Sequence, residues 1–191
     1  MYAALLADGR LYDLLQRLDE DLAAEQRALG CPRCGAVLHW ACYPRKPRGV
    51  PRESIPAYGR RLSLCCARRD CRRRATPPSV RFLGPKVYLG AVVVLISALR
   101  CGPTPARMRA LEELIGVSRR TIVRWRRWWT ETLVDMPFWR AARGTVMPPV
   151  APTQLPASLL ERFAGNARER LLGLLRFIAP ITTHSATVHV I

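Results

Sequence analysis

The sequence predicts an α+β chain that is mainly α, with a small metal-folded β module followed by a three-helix unit and an amphipathic helix at each end. Three observations predict it. Leucines recur at helical spacing in residues 1–30, a stretch broken by Pro and Gly carries paired cysteines over residues 31–84, and helical periodicity returns over residues 85–136. A Pro-rich linker (137–156) and a C-terminal helix with its tail (157–191) complete the expected division.

In the first segment Leu11, Leu14, Leu15, Leu18, Leu22 and Leu29 form one stripe, Asp8 stands where a helix cap belongs, and Gly30 suits the helix end. In the second, short β-like runs cover Ala36–Tyr43, Arg61–Cys65 and Ser79–Leu83. A stretch so broken builds little core, and modules of this kind usually need a metal to fold. Three helices are then expected, over Lys86–Arg100, Thr104–Leu114 and Ser118–Val134. Pro137, Pro148, Pro149, Pro152 and Pro156 mark a linker or extended arm, Ala157–Ile178 reads as one amphipathic helix, and the tail from Thr182 as loose chain or a lone strand. The two terminal stripes could pack on their own chain or pair two copies into a homodimer.

Charge narrows the function. Across 191 residues, 31 Lys and Arg face 14 Asp and Glu, giving a net +17. Residues 31–147 hold essentially all of that excess, because residues 1–30 are net acidic and residues 148–191 nearly neutral. Concentrated positive charge points to a polyanionic partner, double-stranded DNA first. All but two of the basic residues are Arg, which suits phosphate and guanine, although a GC-rich genome produces the same bias. The longest apolar run, Val87–Leu99, falls short of the ~18–20 residues that span a bilayer, so no membrane partner is expected. The N-terminus lacks the order of an export signal, and an odd seven cysteines point to a reducing compartment and metal ligation.

Cys31-Pro32-Arg33-Cys34-Gly35 has the form of a zinc knuckle, with two thiolates two residues apart and a Gly that lets backbone N–H groups turn toward sulfur. A second knuckle lies in Cys65-Cys66-Ala67-Arg68-Arg69-Asp70-Cys71. Tetrahedral zinc needs four ligands, and Cys31, Cys34, Cys66 and Cys71 are the favoured set, with Cys65 an alternative third ligand. A rival set is Cys31, Cys34, His39 and Cys42, which strands the remaining cysteines. One structural Zn2+ is therefore expected, since four thiolates leave no open position for water; Cys42 and Cys101 read as small buried hydrophobes. Around the knuckles Arg45, Lys46, Arg48, Arg52, Arg60, Arg61, Arg68, Arg69, Arg72, Arg73, Arg74 and Arg81 read as a basic rim able to track phosphates.

Within Leu111–Trp125 a helix stops at Gly116 and Ser118 caps the next, the pattern of a helix-turn-helix. At 100° per residue Ser118, Ile122, Trp125 and Trp129 share the face expected to be buried. Arg120, Arg124 and Arg127 take the opposite face, flanked by Arg119 and Val123, as major-groove reading requires.

Taken in order, CPRCG, CCARRDC and LEELIGVSRRTIVRWRRWW resemble the zinc-ribbon and helix-turn-helix DNA-binding portions of bacterial insertion-sequence transposases and the small zinc-ribbon proteins encoded with such elements. The resemblance covers roughly residues 31–135. It implies binding to element-end DNA, a cytoplasmic, nucleoid-associated location in a bacterium, and a separate transposase or integrase subunit as a further partner. Such transposases also carry three metal-binding carboxylates, whereas only Glu161 and Glu169 follow Asp135 here. The expected function is accordingly a non-catalytic accessory or targeting factor of a mobile element. A transcriptional regulator of the same architecture and an RNA-binding zinc module are the alternatives.

Overall fold

In the computed structural model, which describes residues 2–47, 58–83, 89–98 and 104–183, Asp8 and Gly30 bound the first long helix. A short helix α1 (Tyr2–Ala7) precedes α2 (Gly9–Leu29), where Asp8 accepts a hydrogen bond from the Arg10 N–H at 3.0 Å. Leu11 and Leu15 are buried and Leu14, Leu18 and Leu22 half-buried, as the stripe predicts. Leu29 departs from it at 79% exposed, because the last turn of α2 runs beyond the core toward the cysteines.

The β module is built from very short strands. β1 (Leu38–Trp40) pairs antiparallel with β4 (Leu64–Cys66), and β4 pairs with β5 (Arg74–Ala75). Between them, β2 (Tyr43–Pro44) pairs with β3 (Arg60–Arg61). The module's own core is Cys31, Leu38, Leu64, Cys66 and Ala75, so two of its five buried members are knuckle cysteines.

Ser79–Leu83 is not a strand. Its backbone donors go to side chains: Ser79 N–H to Thr182 Oγ1 (2.8 Å), Val80 N–H to Asp19 Oδ1 (2.7 Å), and those of Arg81 and Phe82 to Ser79 Oγ. With these donors satisfied the segment can be buried without a ladder. Asp19 also accepts from Ser79 Oγ at 2.6 Å and from Arg81 Nε at 2.8 Å, and both members of the Asp19–Arg81 pair are buried. Thr182, expected to begin loose chain, is an anchor instead; the tail beyond residue 183 lies outside the described residues.

Every residue of α3 (Gly90–Ser97) is buried, which explains its unbroken apolar character. It packs against α1, α5 and α8, whose ranges follow. Helix α4 (Pro105–Ile115) ends at Gly116, whose φ of +64° is left-handed and suits a residue without Cβ. Helix α5 (Arg119–Arg127) runs on through a π-helical turn (Trp128–Thr132) into Leu133–Asp135.

The stretch 137–156 is packed chain rather than an extended arm. Pro137 opens α6 (Pro137–Ala142) and Pro152 opens a 3-10 turn (Pro152–Gln154), both places where the missing N–H is harmless. Trp139, Val146 and Leu155 are buried. The expected single C-terminal helix is split into α7 (Ala157–Leu160) and α8 (Ala167–Ile178). Asn166 starts α8 afresh with a capping box, accepting from the Glu169 N–H at 3.1 Å while Glu169 Oε2 accepts from the Asn166 N–H at 2.7 Å.

Leu11 and Leu15 of α2, all of α3, Ile122, Trp125 and Trp129, and Leu171, Leu174 and Leu175 of α8 join one hydrophobic core. Much of both terminal stripes thus packs inside the chain, with Leu29 outside it. Among the described residues no helix is long and apolar enough to cross a membrane.

Candidate metal centre and basic surface

The hairpin geometry explains which cysteines meet. Side chains alternate along a strand, so adjacent Cys65 and Cys66 on β4 must point to opposite faces. Cys66 is buried toward the first knuckle, while Cys65 Sγ lies 3.4 Å from the Arg72 carbonyl on the other face. Register carries Cys66 opposite Leu38, just beyond the Cys31–Cys34 loop, and the turn after β4 returns Cys71 to the same place.

Four sulfurs converge there. Those of Cys31, Cys34, Cys66 and Cys71 all lie within 4.8 Å of one another, with Cys34–Cys66 at 3.5 Å and Cys31–Cys71 at 3.8 Å. Metal–sulfur bonds of about 2.3 Å give a tetrahedron with edges of about 3.8 Å, so the cluster fits a four-coordinate metal ion. His39 is exposed and Cys42 Sγ lies 4.0 Å from the Ser63 carbonyl, so neither belongs to the cluster. Cys42 is only half-buried, short of the burial expected for it, and Cys101 lies outside the described residues.

Backbone donors tune the thiols unequally. The Arg33 N–H, aided by that of Cys34, holds the Cys31 thiol down at about 6 against the opposing effect of burial. Burial pushes the Cys66 thiol up to about 12.

Both knuckles close on a left-handed residue. After Cys34 it is Gly35 at φ +70°, and after Cys71 it is Arg72 at φ +42°. Arg bears a Cβ and is strained where Gly is not. Arg72→Gly is therefore expected to raise the stability of the metal-loaded protein by about 0.5–1 kcal/mol. The thermal midpoint checks this; an unchanged or lower midpoint would mean that the Arg72 side chain compensates for the strain.

The basic rim is smaller than its sequence suggests. Lys46, Arg60, Arg68, Arg69, Arg72 and Arg73 are exposed, and Arg48 and Arg52 lie outside the described residues. Arg45 and Arg74 sit over the Tyr43 ring at 5.5 and 5.6 Å, and Arg74 also donates to the Ala41 carbonyl at 2.9 Å. Arg61 and Arg81 are not on the rim at all: Arg61 is buried and donates to the Pro77 carbonyl, and Arg81 pairs with Asp19. Burial holds the Arg61 guanidinium below its ordinary value, opposed by nearby Asp19. No periodicity marks these two inward arginines, because each belongs to a segment of two to five residues.

Helix α5 divides cleanly. Ile122 and Trp125 are buried, whereas Arg119, Arg120, Arg124 and Arg127 are exposed and Val123 is half exposed at 50%. Ser118 occupies the cap position but is exposed rather than on the buried face, and its hydroxyl lies 3.2 Å from that of Thr121 instead of closing on a backbone N–H. Arg127 grips Glu131 with Nε and Nη2, both at 3.1 Å, which raises its pKa. This exposed pair is weak and leaves Arg127 exchangeable to a phosphate.

No protein-family model, curated protein or solved structure matches the chain.

Proposed function

We propose that this chain is a non-catalytic, zinc-stabilised DNA-binding protein, an accessory or targeting factor of a mobile element. The observation that carries the proposal is the division of α5. One side is locked into the core by Ile122 and Trp125, the other offers Arg119, Arg120, Arg124 and Arg127 around Val123, and Gly116 sets the helix at a turn from α4. A rigid helix with an arginine face supplies both phosphate contacts and guanine readout, which makes α4–α5 a helix-turn-helix in function. The exposed arginines of the β module extend the positive surface, and the order of knuckles and helices supports the mobile-element setting.

Zinc is the metal of this reading. Four thiolates at tetrahedral separation favour a soft four-coordinate ion, and a filled shell makes its role structural within a zinc ribbon. Downstream carboxylates do not offer a nuclease site, since Glu169 is engaged in the cap of α8. A separate transposase or integrase subunit would meet surfaces other than the terminal stripes, which the core already occupies.

Competition binding of zinc-loaded protein to native flanking duplex against excess random duplex, at physiological salt, tests the proposal. A discrete recovered site is expected, and element-end sequence in that site separates the mobile-element reading from a transcriptional regulator. Uniform, salt-sensitive recovery would overturn sequence-specific binding. Arg124→Ala should weaken the specific complex by about 1–3 kcal/mol and relax preference at one base position, and unchanged preference would remove Arg124 from the reading face. RNA keeps one feature in its favour, Trp40, 48% exposed on β1 with Arg27 at 5.8 Å, and single-stranded RNA belongs among the competitors.

A further inference from the structure

The flank of α5 about a third of a turn from Arg120 borders a cavity of about 300 Å3. Its walls come from the end of α3, from Arg126, from the Pro152–Gln154 turn and from the start of α7. The volume stands at the lower end of small-ligand cavities, which excludes a large cofactor and suits a metabolite.

Two groups in the wall lack partners. Ser97 is 4% exposed and its hydroxyl has no hydrogen-bond partner among the described residues. Buried hydroxyls are nearly always paired, and a Ser inside a helix usually bonds back to a carbonyl one turn earlier. Arg126 is exposed at the edge of the cavity with no ion-pair partner among the described residues, and among those residues no Asp or Glu lines the cavity. The other polar groups are Thr153, Gln154 and Ser158, of which Ser158 Oγ already donates to the Gln154 carbonyl at 3.1 Å. A cation and an unused hydroxyl donor at one cavity are complementary to an oxyanion.

We infer that this cavity binds a small-molecule oxyanion, a carboxylate or phosphate of metabolite size, with Arg126 holding the charge and Ser97 donating to an oxygen. Arg126 lies seven residues from Arg119 on the same flank of α5, and the cavity site does not require duplex binding. It has a built-in reporter, because the Pro152–Gln154 wall packs on the π-helical turn that holds Trp128 and Trp129 in edge-to-face contact at 5.0 Å.

The test uses the full-length, metal-loaded protein without nucleic acid, titrated at constant ionic strength with inorganic phosphate and separately with succinate. Calorimetry and tryptophan fluorescence follow binding. Saturable one-to-one binding of at least one probe is expected, and the preferred probe assigns phosphate or carboxylate as the source of the oxyanion. Arg126→Gln should weaken it at least tenfold. Ser97→Ala should weaken it several-fold without lowering the thermal midpoint, since the hydroxyl makes no bond in the free protein. Arg176→Gln, which removes an exposed charge on α8, should leave it unchanged. Absence of saturable binding of both probes would overturn the inference. So would equal losses from Arg126→Gln and Arg176→Gln, which indicate diffuse charge, or affinity that survives substitution of both Arg126 and Ser97. Because no DNA is present, failure here and failure of the DNA-binding proposal are read separately.

Discussion

Cys34→Ser is expected to abolish metal retention and to unfold the module from Cys31 to Ala75 while leaving the helical core in place. The module buries Leu38, Leu64 and Ala75 beside Cys31 and Cys66, and its strands are two or three residues long. Apolar burial on that scale contributes only a few kcal/mol, by roughly 1.5–3 kcal/mol per buried large side chain, against backbone ordering of roughly 1–2 kcal/mol per residue. Structural zinc contributes about 10–16 kcal/mol in zinc-finger peptides, so an ion bound at the four sulfurs would decide whether the module is folded. Serine removes one of four thiolates and opens the shell. Elemental analysis for metal, with hydrogen exchange at the Cys66 N–H that bonds to the Arg73 carbonyl at 2.9 Å, gives the result. Full metal stoichiometry in this variant would place the ion elsewhere.

Asp19→Ala should cost about 3–5 kcal/mol, a large share of the roughly 5–15 kcal/mol that hold a domain together. The substitution removes the acceptor for Ser79 Oγ, the Val80 N–H and Arg81 Nε at once, and takes the Asp19 carboxylate away from the buried Arg81 guanidinium. Arg81 retains the rings of Tyr58 and Phe82 at 5.1 and 5.3 Å, which partly compensate. Denaturant unfolding of the metal-loaded protein measures the change, and a loss under 1 kcal/mol would show that the segment is held by its apolar neighbours alone. Asp19→Asn, which keeps an acceptor oxygen, should fall between the two.

These two sites differ in how far the sequence announces them. The metal cluster is legible because ligand spacing and chemical type coincide: CPRCG states one half, and strand alternation separates Cys66 from Cys65. The arginine face of α5 is legible because helical periodicity depends only on local geometry. Asp19 is not, since it lies among acidic residues on a helix whose other carboxylates mostly face solvent, and its partners are some 60 residues away. Ser79–Leu83 misleads for the same reason, its apolar alternation satisfied by side-chain bonds instead of a neighbouring strand. The prolines of 137–156 are read as an arm when their fixed φ starts packed turns, a difference that depends on what Trp139 and Leu155 meet.

The single core shared by α2, α3, α5 and α8 sets an order of events during synthesis. Arg168 Nη2 donates to the Arg10 carbonyl at 3.0 Å and the Ser79 N–H to Thr182 Oγ1, so closure around Arg10 and Ser79 depends on residues translated well after them. At about 5–20 residues per second, the roughly hundred residues between Cys71 and Ile178 take about 5–20 s to emerge. Until Ala167–Ile178 has emerged, the faces of α3 and of the core that α8 covers stay open, which is the condition that recruits chaperones to a nascent chain. The four cysteines and strand β5, by contrast, have all emerged once Ala75 is clear of the ribosome, and the module they form can close while the helical half is still waiting.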